Sequence, residues 1–229
     1  AKILERMKKK VLVLDLDAHH CDQVQDAFYD SSRVTVISLH ENGETLYPGT
    51  GSELETGTGD GLGYTINLPL PVGTFDWAYY SLFRDVVLPL IEAIAPDVMI
   101  VVAGMDGLAG DPLAHLNLTN NCMADIIGDL VQLELPMLVT GGGGYNFENT
   151  VRGWALVFST LVNGKNDPLL QGAGMGGVML ENTAWFGGLR DRTLLSHGGY
   201  REKVETAIQD MAARTQKRLA PIHQVKFPT

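Results

Sequence analysis

The sequence has 229 residues, 45% of them hydrophobic, and a formal net charge of −10 at pH 7. That length allows one large domain or two small ones, and the acidic balance excludes a nucleic-acid backbone as the main partner, because phosphate binding needs clustered Lys and Arg. No apolar run approaches the roughly 20 residues that cross a bilayer, so no membrane partner is expected.

In chain order, Ile3, Leu4 and Met7 have helical spacing and no Met precedes them. The sequence reads as if cut inside a helix, so an upstream segment or a second chain is expected to complete the fold. "KVLVLDLD" at 10–17 reads as a strand covered on both faces. "DQVQDAFYD" reads as a short helix and "RVTVISLH" at 33–40 as the next strand. Residues 41–63 form a loop rich in Gly, Glu and Thr, longer than most connections. "GYTINLPL" is a strand, 75–95 one long helix that Pro96 helps end, and "DVMIVVAG" at 97–104 a strand before a polar loop at 105–119. "NNCMADIIGDLVQL" is a helix, "PMLVTGGGGY" a strand ending in glycines, and "ENTVRGWALVFSTLV" a helix. After Gly164 the pattern weakens into a Gly-rich connector, with one more helix at about 199–217. The domain expectation is a single unit, 1–229, with a motif-bearing core at 1–163 and an extension at 164–229.

This alternation predicts a mainly parallel sheet in a three-layer α/β sandwich. Ligands in such sheets sit at the carboxyl ends of the strands. Three strands end in chemically loaded loops, "DLDAHHCD", "AGMDGLAGDP" and "TGGGGY", and parallel topology brings those ends to one rim. In an extended strand end, Asp17 and His19 point the same way and can grip one ion, with Asp106 as a third ligand. Two carboxylates, one imidazole and an open position suit catalytic zinc and tolerate iron(II), cobalt(II) or manganese(II). The alternative is that Asp17 and Asp106 cap helices. Cys21 lies in the cluster, but without a CxxC partner it is a weak metal signal. With Cys122 it is one of two cysteines; a pairing is open, and the low count fits reduced thiols and a cytoplasmic setting. The glycines before Tyr145 let backbone approach a ligand closely, and no Lys-Ser/Thr follows them to make a phosphate loop.

"DLDAHHCDQVQDAFY", "SLHENGETLYPGTG", "GMDGLAGDPLAHLNLT" and "GGGGYNFENTVRGW" together resemble the zinc-dependent histone deacetylase superfamily, with the bacterial acetoin-utilisation and acetylpolyamine deacetylase-like members nearest. The resemblance runs from residue 1 to about 163. It implies the arginase/deacetylase fold, N-terminally truncated here, and one zinc held by Asp17, His19 and Asp106. It implies that Tyr145 stabilises the oxyanion in hydrolysis of an N-acetyl amide of acetyl-lysine or acetylpolyamine type. Tyr47, Leu113 and Gly143 match substrate-tunnel positions. Asp15, Asp17, His19, Ser38 and Leu39 match one site for structural potassium or sodium, and Phe28, Ser31, Val34 and Tyr64 match a second. The related ureohydrolases need a second Asp where Leu108 stands, so a binuclear site is not expected.

The resemblance also implies two adjacent catalytic histidines upstream of residue 1, oriented by Asp15 and Asp22. No such pair other than His19–His20 occurs. His40 is expected to be structural and His115 to face solvent, while His197 and His223 lie in the unmatched tail. Cys21 and Gln23 stand where the family has glycines. The functional expectation is a zinc-dependent deacetylase completed by residues outside this chain. The alternative is a catalytically silent relative that binds a metal or an acyl ligand.

Overall fold

A computed structural model describes residues 1–164, 189–192, 194 and 198–228. Most of the expected Gly-rich connector, and His197 within it, lies outside the described residues. Among the described residues no helix is long and apolar enough to cross a membrane.

A short helix α1 (Lys2–Arg6) leads into β1 (Val11–Asp15), α2 (Asp22–Phe28) and β2 (Val34–Glu41). After the long loop come β3 (Thr65–Leu70), α3 (Asp76–Leu82), a π-helical turn (Phe83–Val87) and α4 (Leu88–Ile94). Then β4 (Val98–Ala103), α5 (Asn120–Gln132), β5 (Met137–Gly141), α6 (Phe147–Asn163) and α7 (Gly199–His223) complete the order. The strands form one five-stranded sheet in the order β3-β2-β1-β4-β5, and every pairing is parallel. β1 and β2 are buried along their whole length, as their unbroken apolar runs require of central strands. Pro69 is tolerated because β3 is an edge strand.

Pleating splits β1 between two cores. Val11 and Val13 join Phe28, Val34 and Val36 under α1 and α2. Leu12 and Leu14 enter the larger core with Ile37, Leu39, Tyr79, Phe83 and Ile126. Val204, Ile208, Met211 and Leu219 of α7 belong to that larger core as well. The chain is therefore an α/β protein with helices on both faces of a parallel sheet.

Two helix expectations change. Residues 75–95 are not one regular helix, because Pro89 has no N–H to give the carbonyl of Asp85 four residues back. The helix widens there into the π turn, and Gln216 Nε2 of α7 donates to that carbonyl at 3.0 Å. The last helix runs past 217 to His223 although Pro221 lies inside it. Its end is held from outside, by buried Leu219 and by the 2.8 Å contact of His223 Nε2 with the Gly63 carbonyl oxygen.

Candidate metal centre

β1 stops at Asp15, two residues short of the expected strand. Asp15 Oδ1 accepts the Asp17 N–H and Asp17 Oδ1 accepts the His19 N–H, both at 2.9 Å. A short carboxylate that closes a turn on the amide two residues ahead competes with strand geometry. Asp17 and His19 therefore meet in a bend of two linked turns, not along an extended strand. Neither Asp17 nor Asp106 caps a helix: α2 starts at Asp22, and Asp106 Oδ1 accepts the Ala18 N–H at 2.8 Å.

Asp106 follows β4 and is fully buried. The glycine loop after β5 closes the third side, where Gly143 N–H donates to Asp17 Oδ2 at 2.5 Å and the Gly143 carbonyl accepts from Met105 N–H at 2.7 Å. His19 Nδ1 lies 2.8 Å from Asp106 Oδ2 and 3.1 Å from Asp17 Oδ1. One donor atom from each of Asp17, His19 and Asp106 falls within 4.8 Å of the others. The expected rim convergence of separate strand ends thus occurs at these three side chains.

Electrostatics explain the cluster as it stands. Burial raises the Asp106 carboxyl above its ordinary value, and the neighbouring Asp17 charge adds to this. Burial also works against the Asp17 charge, but hydrogen bonds from His19, Asp106 and the Gly143 amide outweigh it and hold Asp17 low. The hydrogen bonds to Asp106 and then Asp17 lift His19 to about 10. An imidazolium with one positive charge therefore offsets only part of the two-carboxylate charge, whereas a divalent cation beside a neutral His19 would offset all of it. The donor set fits such a cation: two anchored carboxylates and one imidazole, facing a cavity. The glycines permit it. A Cβ at Gly104 or Gly142 would stand 2.4 or 2.5 Å from Asp17 Oδ2. At Gly143 it would stand 2.1 Å from Asp106 Oδ2.

A cavity of about 460 Å³ opens above the cluster, lined by Asp17, His19, His20, Leu46, Tyr47, Pro48, Leu113 and Tyr145. Tyr47, Leu113 and Tyr145 thus meet at one mouth, with Tyr145 edge-on to His19 at 6.2 Å between ring centroids. Gly143 is half-buried, and its backbone packs against both carboxylates. The Tyr145 hydroxyl is raised above its ordinary value by partial burial, with Asp106, Asp17 and Asp111 adding to it. Sequence reasoning missed Asp111, which accepts the Leu113 N–H at 2.9 Å and the Tyr145 N–H at 2.8 Å. The Asp-Pro in "GDPL" was a turn signal that could have drawn attention to it.

The remaining expected positions separate. Asp15 is buried beside the cluster, and desolvation, with the Asp17 and Asp106 charges, pushes it to about 7. Asp22 Oδ1 accepts the Gln23 N–H at 2.7 Å at the start of α2 and stands outside the three-residue group. Cys21 and Cys122 are both free, so they do not pair; burial raises the Cys21 thiol, which also stays outside the group. Asp15 and Ser38 pair across β1 and β2, next to Leu39 and the Asp17–His19 bend. In the second set, the Phe28 carbonyl accepts from Ser31 N–H at 2.9 Å and that of Tyr64 from Val36 N–H at 2.8 Å. Leu108 is core, and no fourth acidic group joins the cluster among the described residues.

Four other histidines are held in place. His20 bonds Thr50 Oγ1 at 2.8 Å and Gln25 Oε1 at 3.1 Å. His40 is buried between Ser38 Oγ at 2.7 Å and the Gly51 carbonyl oxygen at 3.0 Å, as a structural residue should be. His115 is half-exposed yet tied to Glu41 Oε1 at 2.9 Å, and His223 to Gly63.

A model of the histone deacetylase domain matches residues 1–161. The chain belongs to the histone deacetylase domain family. It is 39% identical to histone deacetylase 9 of Arabidopsis thaliana over 163 residues, 70% of this chain and 38% of that protein. It is 37% identical to histone deacetylase 8 of Xenopus laevis over 153 residues, 67% of this chain and 47% of that protein. With human histone deacetylase 1 it shares 40% over 154 residues, 66% of this chain and 32% of that protein. The chain thus matches about a third to a half of the length of these deacetylases. They leave the expected nearness to bacterial members untested.

Proposed function

We propose that this chain carries the metal-binding half of a zinc-dependent hydrolase that removes the acetyl group from acetyl-lysine or an acetylpolyamine. The observation that carries the reading is the convergence of Asp17, His19 and Asp106 beneath a cavity whose mouth presents Tyr145. These three side chains would hold the ion, which when bound supplies Lewis-acid polarisation of the amide carbonyl and acidifies a water. Iron(II), cobalt(II) or manganese(II) suits the same donors. Tyr145 stays protonated at neutral pH, because its hydroxyl is raised above the ordinary value. It can therefore donate to the oxyanion that forms as the carbonyl is attacked. Tyr47, Leu46 and Leu113 bury the aliphatic stem of the substrate and exclude water around it. Potassium or sodium at the two backbone-rich sites would brace the strand ends beneath.

The general base is the part these residues do not supply in the expected form. A histidine pair from another segment or a second chain, oriented by Asp15 and Asp22, would complete the reaction, and such a base is worth about 10²–10⁴-fold in rate. The engagement of His20, His40, His115 and His223 in other bonds favours a second reading, a silent relative that binds metal and an acyl ligand. Zinc titration of the full chain, followed by hydrolysis of an acetyl-lysine peptide and of an acetylpolyamine, tests both. The hydrolase reading expects turnover that a chelator stops. It also expects Asp106→Ala to lose zinc, and Tyr145→Phe to keep zinc and lose turnover. Zinc binding without turnover selects the silent relative, and turnover after complete metal removal refutes the mechanism.

A further inference from the structure

Glu41 ends β2 with a carboxylate that is wholly buried. A buried carboxylate is tolerated only where its oxygens are bonded, and here both are. Oε1 accepts from His115 Nδ1 at 2.9 Å and from Thr45 Oγ1 at 2.9 Å, a hydroxyl it shares with the Asn42 carbonyl at 2.9 Å, and Oε2 accepts from His115 N–H at 2.7 Å. The Glu41 N–H donates at 2.9 Å to the carbonyl of Ala18, the residue between Asp17 and His19.

The two partners lie on separate loops, each two residues from a side chain that lines the cavity. Thr45 lies two residues before Tyr47, in a turn where the N–H groups of Thr45 and Leu46 both reach the Asn42 carbonyl, at 2.9 and 3.1 Å. His115 lies two residues after Leu113, and its carbonyl accepts from Gly73 N–H at 2.7 Å. Tyr47 and Leu113 project from loops, 78% and 50% exposed, so no strand fixes their separation. Loops with few buried contacts open easily unless tied.

We propose that Glu41 is a positioning residue: it fixes the spacing of Tyr47 and Leu113 over the metal-binding bend, and thereby sets a passage that admits an unbranched acylaminoalkyl chain. The brace is independent of the hydrolase reading, and the substrate consequence rests on it.

Hydrogen exchange on the full chain tests the brace. Glu41→Gln, and the milder surface change Thr45→Val, should each speed exchange in residues 42–48 by about tenfold. Glu41→Gln should speed 111–116 as well, β1 should be unmoved, and Thr45→Ser should exchange as wild type. A rise spread evenly over the chain, or no rise at the Tyr47 loop, overturns the proposal. On the zinc-loaded protein, Thr45→Val should raise KM for a linear Nε-acetyl-lysine peptide by about tenfold with kcat unchanged. It should also narrow the preference for that peptide over an Nε-isobutyryl one. An unchanged preference refutes the specificity role. If the zinc-loaded wild type cleaves neither peptide, the hydrolase reading fails, and hydrogen exchange still decides the brace.

Discussion

Replacing Gly143 by Ala separates two roles for one residue. The family resemblance puts Gly143 in the tunnel wall, and the structure packs its backbone against Asp17 and Asp106. A Cβ at this position would lie 2.1 Å from Asp106 Oδ2, 2.9 Å from Asp106 Cγ and 3.2 Å from Asp17 Oδ2. The closest ordinary carbon–oxygen approach is about 3.3 Å, so the carboxylate or the loop must give way by roughly 1.2 Å. Asp106 has no room to do so: it is 0% exposed, and its other oxygen is held by Ala18 N–H at 2.8 Å. Lifting the loop instead breaks the 2.5 Å bond from Gly143 N–H to Asp17 Oδ2. Metal ligands tolerate displacements of about 0.2 Å. Zinc affinity should therefore fall by about 100-fold or more, with a loss of stability of about 1–3 kcal/mol from overpacking. Competition against a chelating dye measures the first, and urea unfolding the second. Gly199→Ala, where a Cβ meets nothing within 4 Å, is the control. A folded Gly143→Ala protein that binds zinc as tightly as wild type would refute the reading that this glycine lets the two carboxylates take up their positions.

His40 makes stability depend on pH. Burial, with the His20 ring beside it, lowers it from 6.5 to about 4, against the Gly51 carbonyl and the Glu55 charge, which raise it. Its contribution is complete above 6.5 and is lost as pH falls through about 4, because only the unfolded chain takes up the proton in that window; the total is about 3 kcal/mol. Urea midpoints from pH 7 to 4 should fall less steeply in His40→Gln, and an identical acid limb would count against the assignment. Gly51→Ala should destabilise by about 2 kcal/mol or more. Its Cβ would stand 2.3 Å from His40 Nε2 on a backbone with φ of +89°. Asp111→Ala frees the Tyr145 and Leu113 amides. It should leave zinc affinity intact in the same dye competition and, where the chain turns over, lower kcat by about tenfold.

What the sequence made legible and what it hid divide along a physical line. Apolar runs such as "KVLVLD" and "DVMIVV" report burial directly, and burial on both faces selects central parallel strands; the convergence of chemically loaded strand ends on one rim needed nothing more. The clustering of Asp17, His19 and Asp106 was legible for the same reason, since carboxylates placed straight after such runs must lie at the sheet's carboxyl rim. Hidden were the features made by partners distant in the chain. The π turn depends on Pro89, which was visible, but its stability draws on Gln216, 131 residues from Asp85. The role of Gly143 depends on where Asp106 Oδ2 comes to rest, which no local pattern encodes. Glu41 looked like one more charge in an acidic loop, yet its bonds to His115 span 74 residues. A periodic pattern records only which residues avoid water. A buried carboxylate among three donors avoids water too, but through bonds and not through apolarity, so its sequence resembles a solvated surface. Glu41 is of that kind; Asp111 is partly exposed and accepts from two amides, and both tie cavity loops together through bonds that had to be found in three dimensions.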